Sequence, residues 1–219
     1  MWAAGIEYSI DFAFHPMAYL VPAINACGGW IYFVLFVFTL LESSSLLFAW
    51  LPGQSLFFAF GSLAASAGST LHLSLLLLSF ISAVMLGGII KYHYGSRFFA
   101  RRVVHRLLPD QRMQTFLAEF MAHRQRSLTV SRFIPWVGQL APLAAGASQM
   151  DRGDFLRWNG YGSVIWVGIS CLTGFFFGHA RFVQRHFLWI MLGLLLAESL
   201  VHKFVLWLFH QTKRWFERN

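Results

Sequence analysis

The sequence predicts an all-α integral membrane protein, a multi-pass helical bundle with two inverted re-entrant helical hairpins. Three observations lead there. Of 219 residues, 57% are hydrophobic and 12% charged; a soluble domain carries roughly 25% charged residues, so this chain cannot be solvated all round. The apolar residues are concentrated in long runs, 31–41, 71–90, 155–178 and 187–209. Runs approaching about 20 residues read as membrane spans. Two other apolar stretches are interrupted: residues 43–69 by Pro52 and Gly53, and residues 131–150 by Pro135, Gly138, Pro142 and Gly146. Proline removes a backbone donor and glycine weakens helix, so neither stretch reads as a plain span. Irregular backbone cannot face lipid and must pack in protein or line a wet cavity. Both stretches therefore read as re-entrant segments.

Taken in order, residues 1–27 are aromatic and interrupted by Pro16 and Pro22; an interfacial helix and a short span both fit. They lack a basic leading region and a small-residue cleavage site, so no cleaved signal peptide is expected. One membrane domain is expected over 28–219. Its first repeat, about 28–90, holds a helix ending at Glu42, the first broken run and a span over 70–90. A linker of about 91–127 alternates Arg and His with Phe, Val and Leu, as an amphipathic helix at the headgroup boundary does. The second repeat, about 128–210, holds the second broken run and two spans, and a basic tail closes the chain at 211–219. Span, broken run and span on each side of a linker is the pattern of inverted-repeat transporters.

Charge placement predicts topology. Nine of the 17 Lys and Arg lie between Lys91 and Arg132, three more in the tail, and none before Lys91. Basic residues mark the cytoplasmic side of short loops, so linker and C-terminus should both be cytoplasmic. Arg181 and Arg185 would then lie outside, against that topology. The high pI is not read as nucleic-acid binding in so apolar a chain. Cys27 and Cys171 form no C-x-x-C pair and read as small core residues. The histidines show no metal-ligand spacing, and no metal or cofactor is expected.

Several motifs in register resemble the DedA family of membrane proteins. Glu42 followed by LPGQSLFFAFGSLA is similar to that family's E-x(9)-L-P-G-D-S-L-L; Tyr92, Gly95 and Arg97 resemble its Y-x-x-G-R. RFIPWVGQLAPLAAGASQM resembles G-R-F-x-P-x-x-R-x-x-x-P-x-x-A-G, and Phe155, Asn159, Trp166, Gly174 and Gly178 fit its closing pattern. The resemblance implies a bacterial inner-membrane protein with two re-entrant hairpins meeting from opposite faces. It further implies movement of phospholipid or polyprenyl-phosphate carriers, in some members dependent on the proton gradient. This chain departs from the family at three places: Gln54 replaces the aspartate after Pro-Gly, Gly138 the second arginine, and Gly87-Gly88 a frequent Gly-Asp. The departures weaken the case for proton coupling more than the case for the fold.

The candidate substrate-binding residues are Arg132, Glu42, Gln54, Gln139, Ser55 and Asn159. A charge at the bilayer centre costs about 2.5–3.5 kcal/mol on insertion scales, so Arg132 and Glu42 need partners or a wet cavity. An arginine fork suits a phosphate headgroup; the plainer reading is a snorkelling, topogenic arginine. Glu42 suits proton carriage or pairing with Arg132, and the plainer reading is an interfacial helix end. Gln54 and Gln139 can hydrogen-bond a headgroup without changing charge. Asn159, inside an apolar span, should hydrogen-bond another helix. Pro52, Gly53, Gly61, Pro135, Gly138, Pro142 and Gly146 are expected to shape the hairpins. Glu198 and His202 are spaced for a local structural pair beside Lys203.

The expected function is a flippase or scramblase for phosphate-headgroup lipids, undecaprenyl phosphate or a phospholipid such as phosphatidylethanolamine. A proton-coupled small-ion or drug exchanger using Glu42 is the alternative. Enzyme activity is not expected: Gly53-Gln54-Ser55 resembles an intramembrane serine nucleophile, but no general base is placed for it. The expected partners are membrane lipids, with self-association left open.

Overall fold

The computed structural model of the chain describes residues 16–45, 53–97, 124–133, 137–197 and 200. Every element among them is helical. In chain order these are α1 (Pro16–Cys27), α2 (Trp30–Ser44), α3 (Gly53–Ala64), α4 (Leu73–Tyr94) and α5 (Arg124–Val130). After α5 come a 3-10 turn (Ser131–Phe133), α6 (Val137–Ala147), α7 (Arg152–Gly178), α8 (Arg181–Arg185) and α9 (Phe187–Ala197). The expectations for Pro52, Pro135, Glu198, His202 and most of the basic linker fall outside the described residues.

Among the described residues, two helices are long and apolar enough to cross a membrane: Leu73–Arg97, counting the turn that extends α4, and Arg152–Gly178. Their surfaces suit lipid. Leu75, Leu78 and Leu86 on α4, and Tyr161, Val164, Ile165, Ile169 and Phe176 on α7, are exposed. In water such rows would be an aggregation hazard; in hydrocarbon they are the preferred surface. The span expected over 187–209 is described only as α9, a shorter apolar helix.

The described residues fall into two compact units, each drawing on both halves of the sequence. One is drawn from Met1–Gly28, Gln54–Leu73 and Ser170–Asn219, the other from Gly29–Gly53 and Ser74–Ile169. In the first, α1 ends at Gly28, whose φ of +53° is a left-handed cap. The Asn25 side chain then ties α1 to the loop before α4. It donates to the Gly68 carbonyl at 2.8 Å and accepts from the Thr70 amide at 3.0 Å and hydroxyl at 2.9 Å. Small residues set the helix contacts. A Cβ on Gly61 would lie 3.0 Å from the Cys171 carbonyl carbon, one on Gly174 2.8 Å from that of Phe58, and one on Gly178 2.7 Å from Ser62 Cα. Cys171 is buried at this contact, whereas Cys27, expected in a core, is exposed.

The second unit is built on two buried stripes. On α2, Leu35, Thr39 and Glu42 recur at helical spacing and are buried. On α4 the stripe runs Leu76, Phe80, Ala83, Val84, Gly87, Gly88, Lys91 and Tyr92. The two helices meet closely: the Ser79 hydroxyl donates to the Tyr32 carbonyl at 2.7 Å, and Gly87 leaves room for Ser43. A Tyr92–Phe155 stack at 4.3 Å between centroids, with Leu128, Ala141, Ala144, Ala145 and Met150, makes the apolar core.

The turn from α6 to α7 is specified locally. Met150 donates to the Ala145 carbonyl and Gln149 to that of Gly146, the Schellman pattern, with Gln149 at φ +54° where glycine is usual. Asp151 then caps α7, accepting from the amides of Gly153 at 2.8 Å and Asp154 at 3.1 Å. The Tyr92 hydroxyl donates to the Met150 carbonyl and pins this turn to α4.

Candidate functional site

Within the second unit, five polar side chains from five elements converge in otherwise apolar surroundings: Glu42 (α2), Lys91 (α4), Arg132 (the 3-10 turn), Gln139 (α6) and Asn159 (α7). Glu42 is 4% exposed, Lys91 3% and Asn159 1%, while Arg132 and Gln139 are half-buried. Buried charge in a low-dielectric setting is costly unless it is hydrogen-bonded or paired, so this cluster is not incidental to packing.

Asn159 is the bracket that holds Arg132. Its Nδ2 donates to the Met85 carbonyl on α4 at 3.1 Å, and its Oδ1 accepts from the Arg132 guanidinium at 2.6 Å. The second bond is short, as charge-assisted bonds are. Glycine makes both contacts sterically possible. A Cβ on Gly88 would lie 3.0 Å from the Asn159 carboxamide carbon, and one on Gly162 3.1 Å from Arg132 Nε. The Gly87-Gly88 pair thus has a physical role: residue 88 must be bare for Asn159 to reach α4.

Lys91 is held in the same manner by a different amide, its ammonium donating to Gln139 Oε1. The charges of Arg132 and Glu42 both act on it. Glu42 lies against Gly53, the first residue of α3, and a Cβ there would be 2.8 Å from the carboxyl carbon. A carboxylate at a helix N-terminus meets the positive end of the dipole. The Thr39 hydroxyl, one turn before Glu42 on the same buried stripe, has no hydrogen-bond partner among the described residues. Buried polar groups without a protein partner are exceptions that call for water or a ligand.

The structure thus brings together four of the six sequence-derived substrate residues, Glu42, Arg132, Gln139 and Asn159. The other two belong to the first unit: Gln54 is exposed, and Ser55 is buried. The hairpin residues behave unequally. Gly138 is needed for a close approach, since its Cβ would meet the Ser131 carbonyl oxygen and the Arg132 Cα at 2.9 Å. Gly146 likewise admits the backbone of Tyr92 and Ser96, and Gly61 that of Cys171. Pro142 departs from its expected role as a break, because α6 runs through it. The proline forfeits one bond, to the Gly138 carbonyl, and buried residues from Ala141 to Gly146 hold the remaining turns in place.

Sequence reasoning missed Lys91, assigning it to the cytoplasmic linker because it opens the run of basic residues. α4 continues past it, to Tyr94, and buries it. The signal lay in the spacing 80, 84, 87, 91, which puts Lys91 on the same helix face as Phe80 and Val84. Among the described residues no group of His, Cys, Asp and Glu could hold a metal ion.

Comparison with known proteins matches residues 51–176 to the VTT domain. Protein DedA of Escherichia coli K12 is 26% identical over 202 residues, covering 89% of this chain and 90% of that protein. Inner membrane protein YqjA of the same strain is 33% identical over 153 residues, 68% of this chain and 69% of that one. An uncharacterized membrane protein of Mycobacterium leprae is 29% identical over 167 residues, 75% and 74% of the two chains. No solved structure matches.

Proposed function

The chain belongs to the VTT-domain, DedA family of membrane proteins, and from that premise we propose that it carries phosphate-headgroup lipids between the leaflets of the bacterial inner membrane. It acts as a flippase or scramblase rather than an enzyme, with Arg132 as headgroup anchor. Its substrate is a phospholipid or a polyprenyl phosphate such as undecaprenyl phosphate. The two broken runs serve as re-entrant hairpins, and the basic linker and C-terminus face the cytoplasm.

The observation that carries this reading is the bond from Arg132 to Asn159. The amide orients the guanidinium without neutralising it. A structural arginine in an apolar core is expected to pair with a carboxylate, because an unneutralised charge is costly there. An arginine braced by a neutral group keeps its charge and its remaining donors for an incoming anion, and the planar fork fits a phosphate. The Thr39 hydroxyl, without a hydrogen-bond partner among the described residues, supports a wet interior on the same side of α2.

Purified protein in liposomes should speed movement of tail-labelled phospholipid between leaflets, measured by quenching of the outer-leaflet label. Arg132→Ala should slow it roughly tenfold or more, as loss of a charged hydrogen-bonding group does. Rates equal to those of empty liposomes for every phosphate lipid tried would end the proposal.

A further inference from the structure

Lys91 enters neither the sequence motifs nor the transport reading, yet its side chain is buried in the cluster. Its ammonium is bonded to the Gln139 carboxamide, as the Arg132 guanidinium is to that of Asn159. Two cations are thus each oriented by a neutral amide, on different helices, in a cluster that holds one buried carboxylate, Glu42, whose charge acts on Lys91. With all three groups ionised their charges sum to +1, and the charges of Arg132 and Glu42 both act on Lys91. An apolar interior tolerates such an imbalance poorly, and an incoming anion would relieve it.

We propose that Lys91 is a second headgroup-binding residue and that it makes the site prefer lipids of net negative headgroup charge over zwitterionic ones. This inference rests on the transport reading. A phosphate monoester carries more than one negative charge near pH 7 and can engage both Arg132 and Lys91, leaving Glu42 partnered as it is. A zwitterionic headgroup fits less well. Its phosphate can take Arg132, but its ammonium must compete with Lys91 for Glu42. Gln139 is well suited to let Lys91 go: a carboxamide oxygen holds an ammonium by a single hydrogen bond and no ion pair, so exchange for a phosphate oxygen gains charge complementarity. Removing the Lys91 charge reverses the selection, because Arg132 and Glu42 alone form a dipolar seat that matches a zwitterion.

The test uses full-length wild type, Lys91→Gln, Lys91→Arg and Lys91→Met in phosphatidylcholine liposomes. Each preparation receives trace phosphatidic acid or phosphatidylethanolamine with identical labelled tails. Wild type should move phosphatidic acid faster. The ratio of the two rates should fall roughly tenfold in Lys91→Gln and remain near wild type in Lys91→Arg. Lys91→Met, which drops the ammonium but keeps an unbranched, adaptable stem, supplies a second neutral variant should the glutamine fail to fold. A ratio unchanged in a folded neutral variant would overturn the inference and leave the transport reading standing. Wild type that moves neither lipid would overturn both.

Discussion

The two units of the molecule use the same small-residue device for different ends. In the first, glycines bring backbones together: Gly61 meets the Cys171 carbonyl, Gly174 that of Phe58, and Gly178 the Ser62 backbone. Nothing charged enters these three contacts. The Gly174–Gly178 spacing is the small-xxx-small pattern by which membrane helices approach closely and gain dispersion contacts. The second unit has such contacts too, at Gly95 and Gly146, but three of its glycines open room for side chains of the polar cluster. Gly53 admits the Glu42 carboxylate, Gly88 the Asn159 amide and Gly162 the Arg132 guanidinium. Close approach is a means in both places. What fills the room decides whether the contact is structural or a candidate binding seat.

If that contrast holds, damage to the first unit should cost stability and damage to the second should change substrate handling. The largest effect is expected from Gly61→Leu, since the facing Cys171 carbonyl is backbone and cannot yield. Overpacking of this kind costs about 3 kcal/mol, read as a lowered melting temperature in detergent. The ratio of phosphatidic acid to phosphatidylethanolamine movement by the surviving folded fraction should not change. A shift in that ratio would break the division of labour between the units.

Asn159→Leu comes next. It removes the brace on Arg132 and leaves the guanidinium unanchored, at a cost of about 2 kcal/mol for a hydrogen bond to a charged group. Lipid movement should slow along with the loss of stability. Full transport in the leucine variant would mean that Arg132 needs no orientation, and the bracket described above would then be packing only. Tyr92→Phe has the smallest effect. It deletes the hydroxyl that pins the Met150 turn but keeps the Phe155 stack. About 0.6 kcal/mol is typical of a hydrogen bond between membrane helices, and headgroup preference should be unaltered.

Much of the fold is legible in composition and spacing. The apolar runs around α4 and α7 are long enough to announce themselves, and Glu42, Arg132, Gln139 and Asn159 stand out as polar residues where hydrocarbon is the expected neighbour. Motifs that resemble the DedA family agree with the family the chain belongs to. Other features could not be read so directly. Pro142 reads as a helix break in any local rule, but one lost hydrogen bond is outweighed when the flanking residues are buried on both sides. Gln54 and Ser55 follow Gly53 in sequence, yet they belong to the other unit, because the packing changes hands within α3. Lys91 was obscured by its neighbours: a lysine at the head of a basic run resembles a loop charge until the helix is seen to extend past it.

The amino-acid order alone determined that this chain lives in a membrane, where its long apolar helices lie and most of the residues that are too polar for their surroundings. Those properties depend on hydrophobicity and periodicity, which are sums over near neighbours along the chain. Tertiary structure alone decided which polar groups share a space. Asn159 finds Arg132 from 27 positions away, and Lys91 finds Gln139 from 48. Such pairings depend on helix crossings and on glycines that permit them, and no local window of sequence contains both partners.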